Sequence, residues 1–130
     1  MAIRGTVVAD GNEALLTVEV LSQAGASSLR VEAVVDTGFT GHLTLPSTTV
    51  ETLGLPIIGS AESALADGSL VMEDVCLARV LWHGDERPVR VLVAEATPLL
   101  GMAVMRGSEL RVECVGGGEV SLERLEEPGS

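Results

Sequence analysis

Residues 33–39, Ala-Val-Val-Asp-Thr-Gly-Phe, place the carboxylate of Asp36 directly after an apolar run. The other aspartates of the chain lie before glycines or in polar segments: Asp10, Asp67, Asp74 and Asp85. A carboxylate that ends a core-forming run must be hydrogen-bonded, paired or functional. Thr37 adds a hydroxyl, and Gly38 allows a close approach of the backbone. Asp36 is therefore the candidate chemical group of this chain.

A second segment repeats this pattern in weaker form. Pro98-Leu99-Leu100-Gly101 again brings an apolar strand to a glycine before a short element. This weak internal repeat predicts two related halves packed around one core.

Hydrophobic residues elsewhere alternate with a period of two, in short segments separated by Gly, Asp and Asn. This pattern is typical of a mostly β protein. The predicted strands are residues 3–9, 14–21, 29–35, 42–45, 57–66, 69–82, 88–94, 109–115 and 119–125. Two short helices are predicted, one from a Ser47 cap to a Gly54 stop and one over residues 102–106.

Charge and composition exclude several classes of function. The 130 residues carry 8 basic and 19 acidic side chains, for a net charge of −11, and every basic residue is arginine. Without lysine, no P-loop, Schiff-base or general-base lysine is available. Scattered arginines, with one Trp, one Phe and no Tyr, argue against a nucleic-acid partner.

The metal-ligating residue types lack the spacing of a metal site. Cys76 and Cys114 are far apart, and neither His42 nor His83 has a second ligand three or four residues away. We expect no metal and no cofactor, both cysteines as small buried hydrophobes, and His42 as a surface or satisfied polar residue.

The length predicts a single domain over residues 1–130, with a frayed tail at 126–130. No charge-free stretch reaches the roughly 20 residues of a membrane helix. Charged residues also interrupt any signal-peptide core within residues 1–20. The sequence therefore predicts a soluble, cytoplasmic protein with no membrane partner.

The run Val34-Val35-Asp36-Thr37-Gly38 resembles the signature of aspartic proteases. Leu99-Leu100-Gly101 resembles their second hydrophobic-hydrophobic-Gly element, and Asp67-Gly68 marks a hairpin tip where that family keeps its flap. This order and spacing look like those of a retropepsin.

The similarity is closer still to small bacterial and archaeal retropepsin-like proteins, which carry D-T-G-F-x-G followed by L-x-L-P. The matching segments are residues 36–41 and 43–46, and the resemblance covers about residues 3–125. It implies an all-β, retropepsin-like acid-protease barrel with one or two short helices, in which each chain supplies half of an active site.

The resemblance also implies an aspartic endopeptidase that forms a homodimer and hydrolyses a peptide or protein substrate. In such an enzyme two carboxylates share one proton: one takes a proton from water while the other polarises the scissile carbonyl. Because this chain offers one such aspartate, Asp36 would meet its symmetry mate across a two-fold axis. Family precedent gives Thr37 a hydrogen bond across the dimer and Gly38 a contact with the carboxylates or the substrate backbone.

A substrate cleft beneath the hairpin follows from the same resemblance. The residues expected to contact substrate, or to narrow the cleft in the case of Phe39, are Phe39, Ala66, Asp67, Gly68 and Leu100. Viral retropepsins place a small residue and two aspartates after D-T-G, whereas this chain has Phe39-Thr40-Gly41. Substrate main-chain binding by those aspartates therefore does not carry over.

Two other functions compete with the protease hypothesis. One is a non-catalytic retropepsin-like dimer that binds a peptide or serves as an assembly module, and the other is an unrelated acidic β-barrel that binds a small ligand. Asp36-Thr37-Gly38 alone would fit an Asx-type turn, and Asp67-Gly68 a plain hairpin turn. For either dimer we expect the hairpin of residues 109–125, apolar at alternate positions, to lie in the interface.

Overall fold

The computed structural model describes residues 2–126 and confirms an all-β fold with two short helices. The elements in chain order are β1 (Ile3–Val7), β2 (Ala14–Leu21), β3 (Ser28–Val35), β4 (Leu43–Leu45), α1 (Ser47–Leu53), β5 (Ile57–Ala64), β6 (Leu70–Trp82), β7 (Asp85–Val93), β8 (Leu99–Leu100), α2 (Met102–Met105), β9 (Ser108–Val112) and β10 (Glu119–Arg124). The tail predicted at residues 126–130 lies outside the described residues except for Glu126.

The strands form one sheet in the order β5-β6-β7-β4-β8-β3-β2-β1-β10-β9, and β6 pairs in addition with β2. That extra pairing joins Val20 to Val80 and closes a circuit of strands β2, β3, β8, β4, β7 and β6. Closure of a sheet removes exposed strand edges and encloses one core. The distal part of the β5–β6 hairpin extends beyond this closed body.

The core explains the period of two in the sequence. Leu16, Val18 and Val20 on β2 are buried, while Thr17 is exposed. On β6 the buried residues near the end of the strand are Ala78, Val80 and Trp82. Alternation of this kind places one face of each strand against the core.

The start of α1 differs from the prediction. Pro46, not Ser47, is the N-cap residue, and no side chain caps the helix. The Ser47 backbone N–H instead donates to Glu95 Oε1 at 2.8 Å. A carboxylate distant in sequence therefore satisfies one of the free N–H groups at the start of the helix. Gly54 ends the helix as predicted, in the left-handed conformation at φ 66°.

The terminal hairpin of β9 and β10 exposes less apolar surface to a second copy than predicted. β10 pairs with both β9 and β1, and the side chains of Val120 and Leu122 are fully buried in the chain's own core. The expectation that a second copy must cover this apolar face is therefore wrong for these two residues. β9 ends at Val112, earlier than predicted, and a turn follows.

The two cysteines have different environments. Cys76 is buried, as expected, whereas Cys114 is exposed. The expectation failed for Cys114 because that residue lies beyond the end of β9. Within residues 2–126, neither helix is long and apolar enough to cross a membrane.

Candidate active site

The candidate site forms where two parallel strands end side by side. β3 pairs with β8 in parallel, with Val34 opposite Leu99 and Val35 opposite Leu100. Directly after this pair, the Asp36 backbone N–H donates to the Leu100 carbonyl at 2.9 Å. Because the carboxyl ends of parallel strands meet at one edge, the two segments singled out in the sequence become neighbours.

The Asp36 side chain is half-buried and held by its own turn. The Gly38 N–H donates to Asp36 Oδ1 at 2.9 Å, and the Phe39 N–H donates to the Asp36 carbonyl at 3.1 Å. These bonds fix the orientation of the carboxylate. Its other oxygen, Oδ2, has no hydrogen-bond partner among residues 2–126. One carboxylate oxygen is thus anchored and the other is available.

Gly101 allows the two segments to approach. A Cβ atom on Gly101 would lie 2.2 Å from the Gly41 carbonyl oxygen and 2.8 Å from that of Phe39, which is too close for any other residue. The backbone N–H of Gly101 donates to the carbonyl of His42 at 2.9 Å, and that of Met102 donates to the Phe39 carbonyl at the same distance. The loop after Asp36 is therefore tied to the start of α2.

Phe39 is half-buried, and its ring folds back over neighbouring glycines. A Cβ on Gly41 would lie 2.6 Å from Phe39 Cζ, and one on Gly101 would lie 2.6 Å from Phe39 Cδ2. The ring thus packs against the backbone of both glycines and braces the loop. Contact of Phe39 with a substrate stays a prediction.

Thr37 is exposed and lies beside a small cavity of about 360 Å³. The other lining residues are Met102, Met105, Arg106, Gly107, Ser108 and Leu110. Nothing in the sequence connects these residues with Thr37, because α2 has only four residues and no amphipathic repeat. The exposure of Met102 is visible only in the folded structure.

The β5–β6 hairpin carries the remaining predicted residues at its exposed tip. The Leu65 N–H donates to the Ser69 carbonyl at 2.8 Å, and Gly68 takes the left-handed conformation at φ 87°. Asp67 Oδ1 accepts from the Ser69 hydroxyl at 2.6 Å and from the Ser69 N–H at 2.9 Å. The hydroxyl bond, followed by the backbone bond, lowers the pKa of the Asp67 carboxyl from its ordinary value.

The structure therefore divides the predicted site residues into two groups. Asp36, Thr37, Gly38, Phe39 and Leu100 lie together around the ends of β3 and β8. Ala66, Asp67 and Gly68 lie at the hairpin tip, and within residues 2–126 no hydrogen bond joins that tip to the Asp36 loop.

The hairpin also carries apolar side chains that sequence reasoning did not assign to the site. The exposed ones are Ile57, Ile58, Leu65, Leu70 and Met72. Leu65, Leu70 and Met72 lie toward the tip, whereas Ile57 lies at the base, opposite Cys76. Grouped exposed apolar side chains such as those toward the tip are typical of surfaces that bind a partner or a ligand.

His42 follows the loop and is a satisfied polar residue, as expected. Its Nδ1 accepts the Arg90 N–H at 3.4 Å. Burial, and then the positive charges of Arg106, Arg90 and Arg87, lower the pKa of the imidazole from its usual 6.5. Among the residues that the structure describes, no group of three His, Cys, Asp or Glu side chains is arranged to hold a metal ion.

Comparison with known proteins supplies a structural match only. No protein-family model matches the chain, and no curated protein matches it in sequence. The structure resembles the crystal structure of a retropepsin-like aspartic protease from Rickettsia conorii, with a TM-score of 0.60 over 97% of this chain and 93% of that chain. The chain has a retropepsin-like fold. The sequence identity is 13%, so the likeness concerns the fold alone.

The retropepsin-like fold removes the hypothesis of an unrelated β-barrel. It agrees with the architecture expected from Asp36-Thr37-Gly38 and Leu99-Leu100-Gly101, since these segments are adjacent in space.

Proposed function

We propose that this chain is one half of an aspartic endopeptidase, in which Asp36 from each of two copies forms the catalytic pair. The observation that carries the proposal is the placement of Asp36 in a retropepsin-like fold. It follows β3 directly, its backbone is bound to Leu100 of β8, and one of its carboxylate oxygens is anchored while the other has no partner among residues 2–126.

Two copies are needed because the proposed reaction uses two carboxylates. One removes a proton from the attacking water, and the other, protonated, donates a hydrogen bond to the scissile carbonyl. Two carboxylates in direct contact cannot both ionise readily, so they share a single proton. Asp36 is the one aspartate at the β3–β8 edge among the residues described, so a symmetry-related Asp36 supplies the second.

The neighbouring residues receive supporting roles in this proposal. The Gly38 N–H orients Asp36 through Oδ1, and Thr37, exposed beside it, faces the second copy. Leu100 is fully buried, so its contribution to the site is its carbonyl, which binds the Asp36 N–H, rather than a side-chain contact with substrate.

The β5–β6 hairpin is the proposed cover of the substrate. Its tip is exposed, small and polar around Ala66, Asp67 and Gly68, and it extends beyond the closed body of the sheet. A cover of this kind excludes water once substrate is bound. The exposed apolar side chains of Leu65, Leu70 and Met72 would contact apolar substrate residues.

The test is cleavage of a peptide library by the full chain across acidic to neutral pH, with Asp36→Asn as the inactive comparison. A statine-type transition-state analogue should bind the wild-type dimer, because its hydroxyl contacts both carboxylates. Cleavage by wild type alone supports the endopeptidase. Absence of both cleavage and statine binding, together with retained binding of intact peptides, would favour the alternative of a non-catalytic peptide-binding or assembly module.

A further inference from the structure

A second and larger cavity lies where α2 ends and shares Arg106 with the cavity beside Thr37. It is a groove of about 1140 Å³. Its lining residues are His42, Asp85, Arg87, Pro88, Ala103, Arg106, Gly107, Arg124, Leu125 and Glu126. Three of the eight arginines of a chain with a net charge of −11 therefore meet in one place.

Two of these arginines have no acidic partner. Arg87 Nη1 donates to the carbonyls of Val104 and Arg106 at 2.6 and 3.2 Å, and its guanidinium lies 6.0 Å from the centre of the Trp82 ring. The Arg106 side chain makes no hydrogen bond or ion pair within residues 2–126. Arg87 is thus held rigidly with its charge uncompensated, and Arg106 is free to receive an anion.

The acidic residues of the groove offset only part of this charge. Asp85 is occupied by Arg124, whose Nη2 lies 3.0 Å from Asp85 Oδ2. Glu126 is exposed and forms no ion pair among the described residues, so its charge also acts in the groove, and three arginines against two carboxylates leave a formal charge of +1. Burial is the main cause that lowers the pKa of His42, and the positive charges of Arg106, Arg90 and Arg87 lower it further.

We propose that this groove binds an acidic peptide segment, with Arg106 and Arg87 receiving carboxylate side chains. Arginine presents a planar fork of donors that matches a carboxylate. Pro88, Ala103 and Leu125 offer apolar surface to the chain between the acidic residues. The volume exceeds the range of about 300–1000 Å³ typical of small-molecule pockets, which favours an extended peptide over a single small anion.

The acidity of the whole protein does not prevent such binding. Charges separated by more than a Debye length, about 8 Å at physiological salt, are largely screened. The three arginines and two carboxylates that line the groove therefore determine the potential that a bound carboxylate meets, and their sum is positive.

The groove adjoins the candidate active site, but binding in the groove does not require catalysis. Arg106 and Gly107 line both this groove and the cavity that contains Thr37. An acidic segment in the groove could thus belong to the same polypeptide that approaches Asp36. The binding proposal nevertheless goes beyond the proposed protease activity, and it is tested without cleavage.

The test uses the full chain with Asp36→Asn, so that no peptide is consumed. Two fluorescent hexapeptides with blocked ends are compared by anisotropy, one alternating alanine with glutamate and the other alanine with glutamine. The glutamate peptide should bind roughly two- to fivefold more tightly, because ion pairs with exposed arginines contribute modestly to affinity.

Arg106→Gln should weaken binding of the glutamate peptide by roughly two- to fivefold. Arg111→Gln is the matched control, because Arg111 is exposed on β9 and does not line the groove, and its affinity should equal that of the parent. Amide NMR shifts on peptide addition should concentrate at Arg87, Arg106 and Gly107.

Three results would overturn the proposal: no binding of the glutamate peptide, equal binding of the two peptides, or equal affinities of Arg106→Gln and its parent. Displacement of the peptide by inorganic phosphate at comparable concentration would assign the groove to a small anion and would also overturn it. Failure of the wild-type protein to cleave peptides would contradict the proposed protease activity and not the groove, since this binding assay contains no cleavage step.

Discussion

The backbone N–H of Asp36 donates to the carbonyl of Leu100 at 2.9 Å, which joins the two glycine-terminated segments of the sequence. The side chain of Asp36 is then oriented by Gly38. The carboxylate therefore sits on rigid strand ends rather than on a free loop, as precise chemistry requires.

Asp36→Asn should abolish peptide cleavage and leave the fold intact, because the amide is nearly isosteric but cannot act as a base. Loss of a general base costs on the order of 10² to 10⁴ in rate, and the change removes it from both copies at once. The measurement is the initial rate on a peptide substrate, with circular dichroism as the check on folding.

Asp10→Asn is the control for this experiment. Asp10 is an exposed aspartate in the turn between β1 and β2, where its Oδ1 accepts the Asn12 N–H at 2.9 Å, a bond that an amide oxygen can also accept. Its amide variant should keep the wild-type rate. Equal rates for wild type and Asp36→Asn would remove Asp36 from catalysis.

Gly101→Ala should destabilise the chain, because the new Cβ would lie 2.2 Å from the Gly41 carbonyl oxygen. Overpacking of this kind costs roughly 1–3 kcal/mol in free energy of unfolding. Gly59→Ala is the control, since a Cβ there meets no atom within 4 Å. Urea denaturation should give a lower midpoint for Gly101→Ala than for wild type, and an unchanged midpoint for Gly59→Ala. Equal midpoints for both variants would contradict the close approach of Gly101 to the Gly41 carbonyl.

Met102→Glu should weaken the proposed dimer. Met102 is 49% exposed in the single chain and lines the cavity beside Thr37, so a second copy that brings its Asp36 to this edge would bury it. A buried charge without a partner is strongly unfavourable. Sedimentation velocity should show a species of twice 13.4 kDa for wild type and a monomer for the variant.

Met72→Glu is the matched control, because Met72 is equally apolar and 64% exposed but lies on the hairpin. It should sediment like wild type. A wild-type protein that stays monomeric at micromolar concentration would contradict both the dimer and the proposed catalytic pair.

Backbone amides of residues 64–69 should exchange with solvent faster than those of residues 31–35. The hairpin tip is exposed and contributes no residue to the core, whereas β3 lies between β2 and β8. Local opening is easiest where few buried contacts exist. Hydrogen exchange followed by mass spectrometry measures both segments, and a statine analogue should slow exchange at the tip. Equal protection of the two segments, unchanged by the analogue, would contradict a mobile cover.

Stability should fall as the pH is lowered through about 6.5, in part because of His42. The folded state lowers the pKa of this imidazole from 6.5, chiefly through burial and then through Arg106, Arg90 and Arg87. Below 6.5 the unfolded chain therefore binds more protons than the folded chain, which favours unfolding. The loss continues until the folded imidazole is itself protonated.

His42→Gln should flatten this part of the stability profile, measured by urea denaturation at several pH values. An NMR titration of wild type should give His42 a midpoint below 6.5. A midpoint at or above 6.5 would contradict the positive field assigned to the arginines around it.

The sequence predicted the fold well where a local pattern determines the structure. Alternation in residues 14–21 gave β2 with the bounds observed, and Gly54 gave the end of α1. The Ser47 cap was wrong because Glu95, distant in sequence, binds that N–H. Cys114 was misplaced because the strand stops at Val112.

The parts of the site that depend on tertiary structure were harder to predict. Asp36 and Leu100 could be paired through the family resemblance, and the structure places them in hydrogen-bond contact. The arginine groove had no sequence signal, because Arg87, Arg106 and Arg124 lie on different elements and meet only when the sheet folds. Scattered arginines were therefore interpreted as a dispersed charge.

The parallel pairing of β3 with β8 also bears on when the candidate site forms. Val35 and Leu100 are far apart in the chain, and both must reach the same sheet edge before Asp36 is oriented. Contacts between distant segments form slowly, because the entropy of closing a long loop opposes them. A chain still emerging from the ribosome would lack this edge until β8 had been synthesised. The orientation of the Asp36 carboxylate is therefore established only after β8 has been synthesised, long after Asp36 itself has joined the chain.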